Sequence, residues 1–386
     1  MTSDPEVLLP ADPGAGYRAH EEEIRRALAR ALAGNHYILG PEVAAFEQEL
    51  ATYLGAGHAV GVASGTDALR LALTACGLRP GHAVITVSHT AVATIAAIET
   101  AGAVPILVDV DPVTQTLDPG RLEDALTEGR GSSGETPVKA LLPVHLYGHP
   151  ADLPTILDIA SRHGLRVIED CAQSHGAEIG GVRTGRLGTA GGFSFYPTKN
   201  LPAFGDAGAV VTGDPEVAAL VRMLREYGWT ERYVSQIPGT NSRLDELQAA
   251  VLRVRLKFLD AENQRRRAIA AHYSSMLRNL PLVLPVERPN ARHVYHQYVI
   301  QTESRDPLRE YLNFKGIRTL IHYPVPVHLQ PAYRGRVRIH RGGLAETERL
   351  ASRILSLPMH PFLTNAQVER VVEAVTQFFE GRVTRT

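Results

Sequence analysis

The chain has 386 residues, enough for a large core and two domains, and its 44% hydrophobic and 21% charged residues are the mix of an ordinary globular protein. A formal net charge of -1 gives no basic field for nucleic acid or an anionic membrane, and no apolar run approaches the roughly 20 residues that span a bilayer. Two cysteines, Cys76 and Cys171, are too few for a disulfide framework or a cysteine metal site; with no signal-like apolar segment at the start, a cytoplasmic protein is expected.

Residues 1–16, rich in Pro, Asp and Gly, read as an extended lead-in. Tyr17–Leu32 has helical spacing, with Ile24, Leu28 and Leu32 on one face, and Gly34-Asn35 ends it. Tyr37 lies in a short turn before a second helix that opens with Pro41. Ala59–Ala63 reads as a buried strand followed by Ser64-Gly65-Thr66-Asp67 and a helix to about Cys76. Strand, small polar turn and helix N-terminus make an anion site, because the first N–H groups and the helix dipole favour a phosphate. The bland alternative for the same residues is an N-cap. No Gly-Lys-Ser/Thr follows, so this is not a P-loop.

Ala83–Val87 reads as a strand that ends in Ser88-His89-Thr90-Ala91-Val92-Ala93-Thr94. Val104–Val108, Val138–Val144 and Arg166–Ile168 are further short apolar runs separated by helical or loop segments, notably Leu153–Arg162. That alternation predicts an α/β fold with a largely parallel sheet, whose ligands lie beyond the carboxyl ends of strands. The biased patch 127–137 reads as a solvated loop. At one strand end stands Val167-Ile168-Glu169-Asp170-Cys171-Ala172-Gln173. A carboxylate there can face a ring nitrogen, or merely cap a neighbouring helix. His175 is read as a structural histidine.

Gly180–Gly192 is Gly-rich without the context of a dinucleotide fingerprint. Phe193 and Phe195 alternate with Ser194 and Tyr196 as in a short strand with one buried face, which stops at Pro197. Lys199 follows, with no other Lys or Arg within ten residues on either side. A poorly solvated amine has a lowered pKa and can attack a carbonyl; a surface lysine past a strand end is the alternative. Ala209–Thr212 reads as a strand, Pro215–Tyr227 as a helix, and Asp245 to about Leu280 as one long helix. Pro281–Pro289 is a composition break, after which His296–Ile300 and Pro307–Leu312 read as strand and helix. The expected domains are 1–255, a large α/β unit, and 256–386, a small α+β unit. Arg318–His328 holds two histidines near two prolines, but Pro324 and Pro326 forbid a helix that would align His322 and His328, so no metal site is read there.

Four motifs in this order, Ser64-Gly65-Thr66-x-Ala68-Leu69, Asp170-x-x-Gln173, Ser194-Phe195-Tyr196-Pro197-Thr198-Lys199-Asn200 and Asn241-Ser242-Arg243-Leu244-Asp245-Glu246, resemble the DegT/StrS sugar aminotransferases, from about Tyr17 to the end of the chain. The resemblance implies the fold of the fold-type I enzymes that use pyridoxal phosphate, a mostly parallel mixed sheet with a small C-terminal α+β domain, working as a homodimer with active sites shared across the interface. It implies that Lys199 holds the cofactor covalently, that Asp170 faces its ring nitrogen, and that Gln173 lies beside the ring. Gly65, Thr66 and Ser194 would hold the phosphate together with Asn241 of the partner subunit. Tyr37, Arg243, His322 and Tyr323 would line the substrate pocket; an ion pair with Asp245 or Glu246 is the alternative for Arg243. The sequence departs from the family at Ala91, where relatives carry an aromatic residue against the ring; His89 is the candidate replacement. It departs also at Pro202, where many relatives carry Gly.

The implied reaction is transamination of a nucleotide-linked keto-deoxysugar, dTDP-3-keto-6-deoxyhexose above others, with L-glutamate as donor. A 4-keto sugar or keto-cyclitol substrate is the alternative. A sugar dehydratase would carry His in place of Lys199, and a non-catalytic regulator would have lost Lys199 or Asp170.

Overall fold

The computed structural model describes residues 7–128 and 136–383. Residues 1–6 of the expected lead-in and most of the expected 127–137 loop lie outside the described residues. The main sheet has eight strands: β1 (His58–Val62), β2 (Ala83–Val87), β3 (Val104–Val108), β4 (Val138–Leu141), β5 (Arg166–Asp170), β6 (Ala190–Ser194), β7 (Gly208–Thr212) and β8 (Arg338–Ile339). Their order is β1-β7-β6-β5-β4-β2-β3-β8. β7 pairs antiparallel with β1 and β6, and every other neighbouring pair is parallel. The mostly parallel mixed sheet is the one expected from the alternation of apolar runs and helices. All five residues of β2 and of β7 are buried, the pattern of strands covered on both faces.

This topology places the site. β1, β2, β4, β5 and β6 all point the same way, so their carboxyl ends share one edge. Beyond that edge lie Ser64–Thr66, Thr90–Thr94, Val144, Asp170–Gln173 and Ser194–Lys199. The core along the sheet joins Val60, Leu69, Leu73, Ile85, Leu141 and Ile168. A second core gathers Tyr273, Tyr298, Ile300, Leu308, Leu355 and Val371 around the antiparallel pair Tyr298–Gln301 and Ile354–Leu357. The C-terminal part also reaches back to the large sheet: β8 extends it beyond β3, and Val327, Val337 and Leu344 pack with Ile95 and Leu107.

Two expected helices are interrupted. The first divides into Pro13–Ala19 and Glu21–Ala33 at His20, whose φ of -129° leaves the helical region. Its buried face is Ile24, Ala27 and Ala31, while Leu32 is exposed. The second divides into Glu246–Leu256 and Leu259–Leu277. Lys257 and Phe258 close the first segment with tight i−3 bonds to Val254 and Arg255, and Phe258 stacks on His20 at 3.8 Å. Both breaks therefore meet at one stacked pair.

Candidate active site

A cavity of about 220 Å³ opens at the shared strand edge. Its wall includes Gly65, Thr66, Asp170, Gln173, Ser194 and Lys199, six of the residues singled out from sequence, which come from three separate strand ends.

The anion end is built by the helix Gly65–Ala75. Ser64 caps it, accepting the Asp67 N–H at 3.1 Å, so the capping role and the cavity wall belong to the same turn. The N–H groups of Gly65 and Thr66 precede any i−4 carbonyl of their own helix and are available to a ligand. A Cβ on Gly65 would stand 2.5 Å from Ser194 Cβ, so only glycine lets the two elements meet here. Ser242 locks the neighbouring segment onto this turn: its hydroxyl donates to Asp67 Oδ2 at 2.7 Å and accepts the Ala63 N–H at 3.2 Å.

Asp170, on the same cavity wall, is 5% exposed. Its Oδ2 accepts the Thr94 hydroxyl at 2.8 Å and its Oδ1 the Ala172 N–H at 3.1 Å. Because Thr94 gives its one proton to the carboxylate, the 2.8 Å bond between Thr90 and Thr94 has Thr90 as donor. Burial holds the Asp170 carboxyl above its ordinary value, while Thr94, Ala172 and Lys199 oppose that rise. Two bonds leave lone pairs free, so Asp170 can accept a further hydrogen bond from the cavity. Burial pulls the Lys199 amine down to about 8, against the attraction of Asp170.

Gln173 is fixed from behind. Its Oε1 accepts the Tyr147 N–H at 2.7 Å, and its Nε2 donates to Tyr323 Oη at 3.1 Å, leaving one N–H for the cavity. Tyr323 thus supports a wall residue without lining the cavity itself. His322 bonds Ser356 Oγ at 2.8 Å through Nδ1, and its carbonyl accepts the Tyr147 hydroxyl.

Other expected residues lie off this wall, and the expectation for His89 needs correction. His89 does not reach the cavity wall: it is 2% exposed, and its Nε2 meets Tyr147 Oη at 2.9 Å. The turn after β2 sends Ala91, Thr90 and Thr94 to the cavity and His89 into the core, so His89 offers no flat surface there. Tyr37 is 53% exposed and donates to the Leu32 carbonyl at 3.0 Å, away from the cavity of its own chain. Asn241 is exposed and also absent from that wall. Arg243 lies 3.9 Å from Glu226, rather than pairing with Asp245 or Glu246.

Sequence reading assigned no role to Thr94, Tyr147, Tyr196 or Asp206. Thr90 and Thr94 stand four apart at a helix start, a spacing that puts both hydroxyls on one face. Asp206, a lone acid in a loop of Gly, Ala and Phe, lines the cavity with Tyr196. Tyr147 sits in a short 3-10 turn at φ 60°, for which no periodic signal exists.

His145, Glu169 and Cys171 are close enough to share a metal ion, their ligand atoms lying within 4.8 Å of one another. Glu169 already accepts the N–H groups of Gly185, Leu187 and Gly188 at 2.7–2.9 Å. His145 takes the Ala151 N–H on Nδ1 and so gives its Nε2 proton to Glu169, at 3.0 Å. Burial pushes the Cys171 thiol far from its thiolate. These donors are committed to the fold.

The cavity fits pyridoxal phosphate: open N–H groups at a helix start, an under-bonded carboxylate and a poorly solvated amine all line it. Comparison with known proteins agrees. The DegT/DnrJ/EryC1/StrS aminotransferase family profile matches residues 18–376. The chain is 49% identical over 370 residues to the dTDP-3-amino-3,4,6-trideoxy-alpha-D-glucose transaminase of Streptomyces venezuelae, covering 96% of this chain and 95% of that one. It is 46% identical over 362 residues to the erythromycin biosynthesis sensory transduction protein EryC1 of Saccharopolyspora erythraea, covering 94% and 96%. Among solved structures, S. venezuelae DesV in complex with a ketimine intermediate superposes with a TM-score of 0.92 at 48% identity, covering 97% of this chain and 99% of that one. The chain belongs to the DegT/DnrJ/EryC1/StrS family of pyridoxal phosphate-dependent aminotransferases.

Proposed function

We propose that the protein transfers an amino group from L-glutamate to the 3-keto carbon of a dTDP-linked 6-deoxyhexose. The observation that carries this reading is the pairing of Lys199 and Asp170 across one cavity with a phosphate cradle at its end, in a chain 49% identical to a dTDP-3-amino-sugar transaminase. When bound, pyridoxal phosphate supplies the electron sink and the carbon that carries the amino group. Lys199 would hold it and, as a free amine, would take and return a proton; an amine held near about 8 exists in both states at neutral pH. Asp170 would keep the ring nitrogen protonated, with Thr94 holding the carboxylate in place. Gly65, Thr66 and Ser194 orient the phosphate, and Gln173 fixes the ring edge.

The rim is completed by a second copy. Asn241 and Arg243 lie outside the wall of their own chain, on a segment tied by Ser242 to the phosphate turn. We assign the partner subunit's Asn241 to the phosphate and Arg243 to an acidic group of donor or nucleotide, which guanidinium matches bidentately. The enzyme then works as a cytoplasmic homodimer; no helix of the described residues is long and apolar enough to cross a membrane. EryC1 carries a regulatory name, but a regulator needs neither the amine nor the acid that face this cavity.

The test is an absorbance spectrum of the purified enzyme with and without glutamate, beside Lys199→Ala, followed by amination of a keto-sugar panel. A visible band that glutamate bleaches, absent from Lys199→Ala, supports the first half-reaction. Preference for a 4-keto sugar or a keto-cyclitol in the panel would overturn the substrate assignment.

A further inference from the structure

Both side-chain hydrogen-bond partners of Gln173, Tyr147 and Tyr323, lie outside the lining of the cavity. Together they close a ring of contacts. The Tyr147 N–H donates to Gln173 Oε1 at 2.7 Å, and the Tyr147 hydroxyl donates to the His322 carbonyl. Tyr323, the next residue, accepts from Gln173 Nε2 at 3.1 Å.

The ring decides which end of the amide the cavity meets. A backbone N–H can only donate, so Gln173 turns its oxygen to Tyr147 and its NH2 the other way. Tyr323 takes one amide proton, and the second is left for a ligand. A reversed amide would set its NH2 against the Tyr147 N–H, donor to donor, and leave that buried N–H without an acceptor.

Tyr147 is placed to hold this choice. It is 5% exposed and stands at φ 60°, a left-handed backbone that is unfavourable for tyrosine, so its turn depends on the contacts that anchor it. Its hydroxyl gives its one proton to His322, so His89 Nε2, at 2.9 Å, is the donor to the same oxygen. Its carbonyl accepts the Gln297 N–H at 3.2 Å. The turn is pressed close to Gln173: a Cβ on Gly148 would stand 3.2 Å from the Gln173 carbonyl oxygen and 2.9 Å from the His296 nitrogen.

We propose that Tyr147 is a positioning residue: its hydroxyl holds the turn whose N–H orients Gln173, and so it sets the proton affinity of pyridoxal phosphate bound at Lys199 without lining the cavity. An amide N–H given to the phenolic oxygen of the cofactor favours the anionic oxygen and lowers that affinity. The inference rests on the reading of this cavity as the cofactor site; neither the sugar nor the donor enters it.

The test is a pH titration of the visible band in the cofactor-loaded enzyme, without donor or sugar, carried through a double-mutant cycle. Tyr147→Phe should raise the pH midpoint of the band by about 0.5–1 unit, and Gln173→Leu by at least as much. In the Gln173→Leu background Tyr147→Phe should add no further shift, because the amide it positions is gone. If Tyr147→Phe does not fold, His89→Leu takes its place: it removes one bond to the Tyr147 hydroxyl and leaves the hydroxyl itself. Its shift should be smaller, in the same direction, and also absent without Gln173. An unmoved midpoint in the folded variant would overturn the proposal. So would a shift that persists in full without Gln173, since the tyrosine would then act by another route. A wild-type enzyme with no visible band after addition of pyridoxal phosphate would remove the cofactor reading itself, and this inference with it.

Discussion

Glu169 and Asp170 are neighbours on β5, both buried, and their surroundings are opposite. Glu169 receives three backbone N–H groups and a histidine proton. Asp170 receives one hydroxyl and one N–H, and lines a cavity that the Lys199 amine also lines. Successive strand residues face opposite sides, so the same chain segment supplies a finished structural site and an unfinished chemical one. The difference separates a carboxylate that the fold needs from one that a ligand needs: saturation marks the first, spare lone pairs in a cavity the second.

The largest expected effect breaks the chemical side outright. Lys199→Ala should lower transamination more than about 10⁴-fold and lose covalently held cofactor, measured by steady-state assay and by the visible band. Asp170→Asn comes next, with kcat down about 10²–10³-fold. Its thermal midpoint should stay at or above that of wild type. The sign follows from the raised folded value: ionised Asp170 subtracts stability once the pH passes its ordinary range, and Asn removes that burden. Glu169→Gln should do the reverse, costing about 2–4 kcal/mol by denaturant unfolding while leaving turnover per folded molecule within a few-fold. A Glu169→Gln enzyme that is stable but inactive would dissolve the contrast.

Smaller effects sharpen it. Thr94→Val removes a bond that lowers the Asp170 value, so kcat should fall about ten-fold and its acid limb should move to higher pH. An unmoved limb would show that Thr94 does not control the carboxylate. Cofactor capture by the cofactor-free enzyme needs the neutral amine, so its rate should climb as pH rises through about 8, instead of through the ordinary lysine range.

How much of this was legible in the sequence differs by the kind of signal. Strand ends with an acid, a lysine or a Gly-containing turn were readable, because apolar runs are local and the shared edge follows from parallel topology. The helix breaks at His20 and at Lys257-Phe258 were not, since they depend on two segments stacking on each other. His89 was misjudged for a related reason: sequence gives its nearness to the cavity but not which way the turn faces it. Tyr147 was invisible, its position set by a positive φ in an irregular turn. The role of Asp170 was drawn from resemblance, and only the hydrogen bonds of the two neighbours explain why Glu169 differs from it.

The most direct measurement follows the visible band of purified Asp170→Asn and Glu169→Gln enzymes after one addition of glutamate. The account predicts that both hold pyridoxal phosphate, that Glu169→Gln loses the band at nearly the wild-type rate, and that Asp170→Asn loses it at least about 10²-fold more slowly. Equal rates in the two variants would contradict the assignment of the chemistry to the cavity face of β5.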